Sequence, residues 1–265
     1  MPSGLEKTAL GVVVLTIALL CACATAPPDE ELPSAESYYQ RGQETLEGRR
    51  VFFFFNDVDY PKAIEAFQEV IDNYPYSEYA VLSELAIADI HYEREEYEEA
   101  SSYYHDFVEL HPNHPKVAYA LYRNGLCSYN QMREADRDQA PTREAVAQFR
   151  ALLERFPSSD MTGDARLRLA ECEERLAQQI IDIADFYFDE DDFHSAARRY
   201  DQVLTTYPGH SARARSMTRL GISLSRLHQT DRAKDALRRA LQLEPDEDLR
   251  ETAQAELDEL STAQQ

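Results

Sequence analysis

Tryptophan is absent from these 265 residues, and glycine occurs only 8 times, methionine 4 and cysteine 4. So few glycines leave too few left-handed turn positions for a protein built of many short strands, which argues against an all-β fold. Cations are also scarce: 27 Lys and Arg stand against 49 Asp and Glu, a net charge of −22. A surface of that sign repels a phosphate backbone, so nucleic acid is not the expected partner. Missing too are a Gly-rich phosphate loop, a Gly-x-Ser-x-Gly elbow, a His-Glu-x-x-His pair and the spacing of an EF-hand loop. The seven histidines are scattered, and only His111 and His114 are close, inside a proline turn. The expectation is a protein without catalytic residues, metal or cofactor.

What the chain does have is a repeat. Five segments of constant length end in proline: Tyr60 to Pro75, Tyr97 to Pro112, Thr142 to Pro157, Phe193 to Pro208 and Thr230 to Pro245. Three residues into each stands an alanine (Ala63, Ala100, Ala145, Ala196, Ala233), and four later a large apolar or aromatic residue (Phe67, Tyr104, Phe149, Tyr200, Leu237). On a helix these two lie one turn apart on one face. The small residue lets a neighbouring helix approach, the large one fills the space between the two, and the proline stops the helix. Companion segments with small pairs of their own, such as Leu85-Ala86, Leu169-Ala170 and Leu220-Gly221, supply the second helix of each unit. The arrangement resembles the tetratricopeptide repeat. It predicts an all-α fold, a right-handed α-solenoid of about five helix pairs over residues 34–245, closed by an acidic capping helix or tail over 246–265. The longer middle intervals predict extra loop near Gln131 to Pro141 and an extended helix over Asp164 to Phe188.

Ahead of the repeats, Lys7 precedes a 13-residue apolar run, Thr8 to Leu20. That is short of the ~20 residues needed to cross ~30 Å of hydrocarbon, and has the length of a signal-peptide core. Leu20-Cys21-Ala22-Cys23 resembles the bacterial lipobox, which implies a signal peptide over residues 1–22, lipidation at Cys23 and a tether to residue 33. An ordinary secretory signal is the other reading. Ala24 resembles the second residue of lipoproteins sorted to the periplasmic face of the outer membrane. Cys127 and Cys172 follow successive prolines at equal distance, and packed free thiols are expected there rather than a disulfide.

Several phrases go beyond a repeat: Asp72-Asn-Tyr-Pro-Tyr-Ser-Glu-Tyr79, Leu110-His-Pro-Asn-His-Pro115 followed by Tyr119, Tyr122 and Gly125, Asp136-Arg-Asp138, Phe156-Pro-Ser-Ser159, Ala184-Asp-Phe-Tyr187 and Ala196-Ala-Arg-Arg199. In this order they resemble the BamD family of outer-membrane lipoproteins. That resemblance implies a non-catalytic scaffold of the β-barrel assembly machinery. Its C-terminal repeats would dock on a POTRA domain of the barrel-forming subunit, its N-terminal repeats would receive unfolded outer-membrane proteins, and other assembly lipoproteins would be further partners. Arg199 matches the family's docking arginine; Tyr76, Tyr79, Phe52 and Phe53 are the candidate substrate contacts. Ile180 departs from the family, which tends to have Glu there. Another envelope repeat lipoprotein, a pilotin or a Tol-Pal-linked coordinator of cell division, would fit the repeat and the lipobox equally well, but would not require the His-Pro-x-His-Pro phrase.

Charge gives a separate indication. Phe193 to Leu243 holds ten basic residues against three acidic, in a chain of net −22. On a helix Arg215, Arg219 and Arg226 share one face and Leu220, Leu224 and Leu227 the other. The basic face reads either as a solvated surface or as a patch that steers an acidic partner. Four consecutive rings, Phe52 to Phe55, cannot all lie on one helical stripe. The expectation is that the first helix runs on and buries two or three of them; the alternative is an adhesive patch.

Overall fold

The computed structural model describes residues 33–51 and 55–262, which form two compact units, one ending at Tyr74 and one beginning at Pro75. Cys23, Phe52 and Phe53 lie outside the described residues, as do the signal and nearly all of the tether.

In the first unit, α1 (Ala35–Glu47) begins at Ser34, whose hydroxyl accepts from the Ser37 N–H. It ends at Gly48, φ 74°, a left-handed position that suits glycine. The helix does not run on as expected: it stops at Glu47, and Phe52 to Phe54 lie outside the described residues. Strands β1 (Arg49–Val51) and β2 (Phe55–Asp57) pair antiparallel, Arg50 opposite Asn56. A run of β-branched and aromatic residues after a glycine stop favours extended backbone over another helical turn. After the hairpin, α2 (Tyr60–Asn73) returns against α1, capped by the Asp59 carboxylate and with Pro61 in its first turn. The Phe67 ring reaches Gly42 so closely that a Cβ there would lie 2.6 Å from it.

The second unit is a stack of helices: α3 (Glu78–Glu93), α4 (Tyr97–Leu110), α5 (Val117–Asn130), α6 (Ala140–Arg155), α7 (Thr162–Asp189), α8 (Phe193–Thr206), α9 (Arg213–Arg226), α10 (Thr230–Gln242) and α11 (Glu247–Thr262). From α4 to α10 each packs on the helix before and after it, and the first helices of successive pairs also meet, α5 with α7, α7 with α9 and α9 with α11. Two kinds of turn repeat. Within three of the pairs a non-glycine residue adopts the left-handed conformation (Glu95, Asp191 and His228, φ 59–61°), and the next residue's N–H bonds back to the carbonyl of His91, Tyr187 or Leu224, each at 2.9 Å. Between pairs a helix stops at the residue before proline: His111, Phe156 and Tyr207, at ψ 52–67°, are non-helical as steric clash with the proline ring requires.

All ten alanine and large-residue positions of the repeat are fully buried, across both units. A helical solenoid of tetratricopeptide-like pairs is thus the fold that the spacing encodes. Gly125 receives the Phe149 ring, and Gly221 receives Leu237, as Gly42 receives Phe67. The extra length between Pro112 and Pro208 goes into the 28-residue α7 and an ordered loop before α6. Buried Gln139 holds that loop, donating to the carbonyls of Glu134 (2.7 Å) and Arg137 (3.2 Å) and accepting from Thr142. Cys127 and Cys172 are separate buried thiols, both pushed up to about 12 by burial. Among the described residues no helix is long and apolar enough to cross a membrane.

Candidate partner-binding surface

One carboxylate organises the contact between α3, α4 and α5. Asp89 accepts hydrogen bonds from the hydroxyls of Tyr104 and Tyr119, the latter at 2.7 Å, and Arg123 lies 3.6 Å away. The Arg123 guanidinium covers the Tyr92 ring at 3.7 Å, donates to the Tyr104 oxygen at 3.1 Å and reaches Glu93 at 3.2 Å. Burial holds the Asp89 carboxyl above the usual carboxylate range, against the pull of its two tyrosine donors and Arg123. The same burial, together with the neighbouring Asp89 charge, raises the tyrosine hydroxyls.

The network recurs between α7, α8 and α9. Asp185 accepts from Tyr200 at 2.5 Å, from Arg219 at 2.8 Å and from Arg215. Arg219 lies over the Phe188 ring at 4.9 Å and is 3.9 Å from Asp189. Every element corresponds at a separation of 96 residues: Asp89 and Asp185, Tyr92 and Phe188, Glu93 and Asp189, Tyr104 and Tyr200, Arg123 and Arg219. The spacing within the repeat marks the packing positions but not this polar register, although its separation is constant along the sequence.

The predicted basic face is therefore not a row of unpaired charges. Arg215 and Arg219 both hold Asp185, and Arg226 holds Glu256 of α11 at 2.9 Å, with the Glu256 side chain only 10% exposed. Arg199 differs: it bonds Gln202 at 2.9 Å and has no carboxylate within ion-pair distance among the described residues, and its Nε is buried without a partner. Tyr76 is fully exposed at the start of α3, beside a cleft of about 470 Å³ that is also lined by Val81, Leu82, His114 and Lys116. Tyr79, one helical turn on, is half-buried and does not line it. The two histidines of the proline turn do not converge on one ligand: His111 bonds Glu84 at 2.8 Å, while His114 Nδ1 accepts from the Lys116 N–H. Ile180 packs beside buried Val203 and Ile181. A wider cleft, about 940 Å³, lies between α5 and α7; Tyr129 and Met132 line it with Glu134, Glu171, Glu174 and Asp182. Nothing local in the sequence signals it, because its walls come from helices some 40 residues apart.

The chain is 28% identical to the outer membrane protein assembly factor BamD of Neisseria gonorrhoeae, over 85% of this chain and 88% of that one. Against BamD of Vibrio cholerae the identity is 26%, covering 88% and 96%. Against BamD of Caulobacter vibrioides it is 30%, covering 60% and 52%. The model of the YfiO family, described as outer membrane lipoprotein, matches residues 34–239, the span of the helix pairs. The chain belongs to the YfiO family of outer membrane lipoproteins.

Proposed function

We propose that this protein is a non-catalytic scaffold of outer-membrane β-barrel assembly, lipid-anchored through Cys23 at the periplasmic face of the outer membrane. The observation that carries the reading is the family match over residues 34–239, with relatives named as assembly factors covering most of the chain. A stack of helix pairs offers a long ridged surface for other polypeptides, and family membership supports a binding role over a chemical one. The C-terminal pairs dock on a POTRA domain of the barrel-forming subunit. Arg199 is the foremost contact, because it is the one of the four candidate arginines with no carboxylate engaged among the described residues. A guanidinium in that state can take a partner carboxylate in a bidentate pair. Arg215, Arg219 and Arg226 contribute to the same end of the chain. Unfolded outer-membrane proteins are received by the N-terminal pairs, where exposed Tyr76 borders an apolar cleft and Tyr79, Phe52 and Phe53 are the accompanying contacts. Depletion of the protein should lower many outer-membrane barrel proteins together. Arg199→Glu should reduce copurification of the barrel subunit while leaving helical circular dichroism unchanged; undiminished copurification removes the docking assignment.

A further inference from the structure

The two polar networks are copies within one chain, so their differences separate what packing requires from what it does not. Asp89/Asp185, Tyr104/Tyr200 and Arg123/Arg219 are retained, as are the small positions Ala88/Ala184 and Gly125/Gly221. Two positions of the α3–α5 copy change from tyrosine to arginine: Tyr103 becomes Arg199, and Tyr119 becomes Arg215. Tyr119 meets the demand of its site with one hydroxyl bond to Asp89 at 2.7 Å. The fold therefore does not need a cation at that position.

We propose that the α7–α9 network is a receptor for a carboxylate of an acidic partner segment, with Arg215 as the direct donor and Arg219 behind it. This rests on the reading of the C-terminal pairs as a docking surface, and not on which protein docks there. In the α3–α5 copy one guanidinium faces two acids, Asp89 and Glu93. In the α7–α9 copy two guanidinia share Asp185, and the second acid, Asp189, pairs with Arg219 only at 3.9 Å with its side chain 71% exposed. Among the described residues Arg215 pairs with Asp185 alone, through one terminal nitrogen, and its side chain is 42% exposed. A guanidinium has five N–H donors, so those not turned to Asp185 are open to an incoming carboxylate. Arg219, 26% exposed and stacked on Phe188, holds Asp185 in place so that the carboxylate is not free to follow Arg215 outward. The sign of the occupant follows from the surroundings. The network lies at the edge of the stretch from Phe193 to Leu243, the part of an otherwise acidic chain with a surplus of basic residues.

The test uses the full chain in detergent and a fluorescent peptide of alternating Glu and Ser, with a Lys and Ser peptide as control, read by fluorescence anisotropy. The acidic peptide should bind and weaken as salt rises, and Arg215→Tyr, which copies position 119, should weaken it about tenfold, the effect of losing one charge-assisted hydrogen bond. Arg215→Lys should retain an intermediate affinity. If Arg215→Tyr lowers helicity, Arg215→Gln gives the same comparison with a smaller side chain. Equal binding by the wild type and either folded variant overturns the proposal, and so does a wild type that ignores the acidic peptide. Peptide binding that depends on Arg215, in a protein that does not copurify the barrel subunit, sinks the assembly role alone. Copurification that depends on Arg199, without Arg215-dependent peptide binding, sinks this receptor alone.

Discussion

Glycine is scarce in this chain, and three of its eight copies are placed by a single steric rule. A Cβ at Gly42, Gly125 or Gly221 would lie 2.6 Å from Phe67, Phe149 or Leu237, the large residue of the next helix. Gly163, in the first turn of α7, has nothing within 4 Å of such a Cβ. Gly125→Ala should therefore destabilise by about 1–3 kcal/mol through overpacking. Gly163→Ala should be neutral or stabilise by up to ~1 kcal/mol through the unfolded chain and helix propensity. Urea midpoints for the two variants measure the contrast; equal effects would contradict the packing account. The alanines and rings of the repeat were legible in the sequence because side-chain size at a 3.6-residue period is a local property. The ring-to-glycine contacts join residues on different helices, and spacing alone names only one side of each.

At the scale of the helix, stops written in the sequence proved more dependable than continuations. Prolines 112, 157 and 208 each end a helix at the preceding residue, where the ring forbids another turn. Gly48 ends α1 just as firmly, and strand β1 follows it in place of further helix, because a glycine stop outweighed apolar content. The last helix depends on a tertiary bond. The Glu256 carboxylate of α11 is nearly buried and takes its ion pair from Arg226 of α9. Arg226→Ala leaves that carboxylate without its cation, and a cost of about 1–3 kcal/mol is expected for the orphaned group. The loss should appear as faster amide hydrogen exchange over Glu247–Thr262, with α3 to α6 unaffected. Unchanged exchange in α11 would show that apolar contact alone holds it.

Over the whole molecule, the buried hydroxyls and thiols set the response to alkali. Burial raises Tyr104, Tyr119 and Tyr200 above the ordinary tyrosine value and pushes Cys127 and Cys172 up to about 12. Each group has a higher pKa folded than unfolded, so below the unfolded value both states hold the proton and the contribution to stability is complete. As pH rises past about 9, where a free thiol ionises, and then past 10 for tyrosine, the unfolded chain releases protons that the folded chain keeps. Stability should fall progressively through that range. Parallel thermal melts and tyrosinate absorbance would show these tyrosines ionising only on unfolding; early ionisation in the folded protein would overturn this. In a stack where each helix touches chiefly its neighbours, the loss is shared through nearest-neighbour contacts.

The sequence by itself determined the helix pairs, their five buried alanine and large-residue positions and the helix stops at proline, since each follows from side-chain size and backbone sterics within one or two turns. It also carried the family, through ordered phrases spread across the repeats. Tertiary structure alone decided which arginines remain unpaired. Arg215 and Arg219 look identical on a helical projection, yet both are claimed by Asp185, some 30 residues earlier on another helix, and Arg226 by Glu256, 30 residues later. Among the described residues Arg199 has no such acid beside it. Ion pairing depends on distances of a few ångströms, and in a repeat fold those distances are set by stacking across helices.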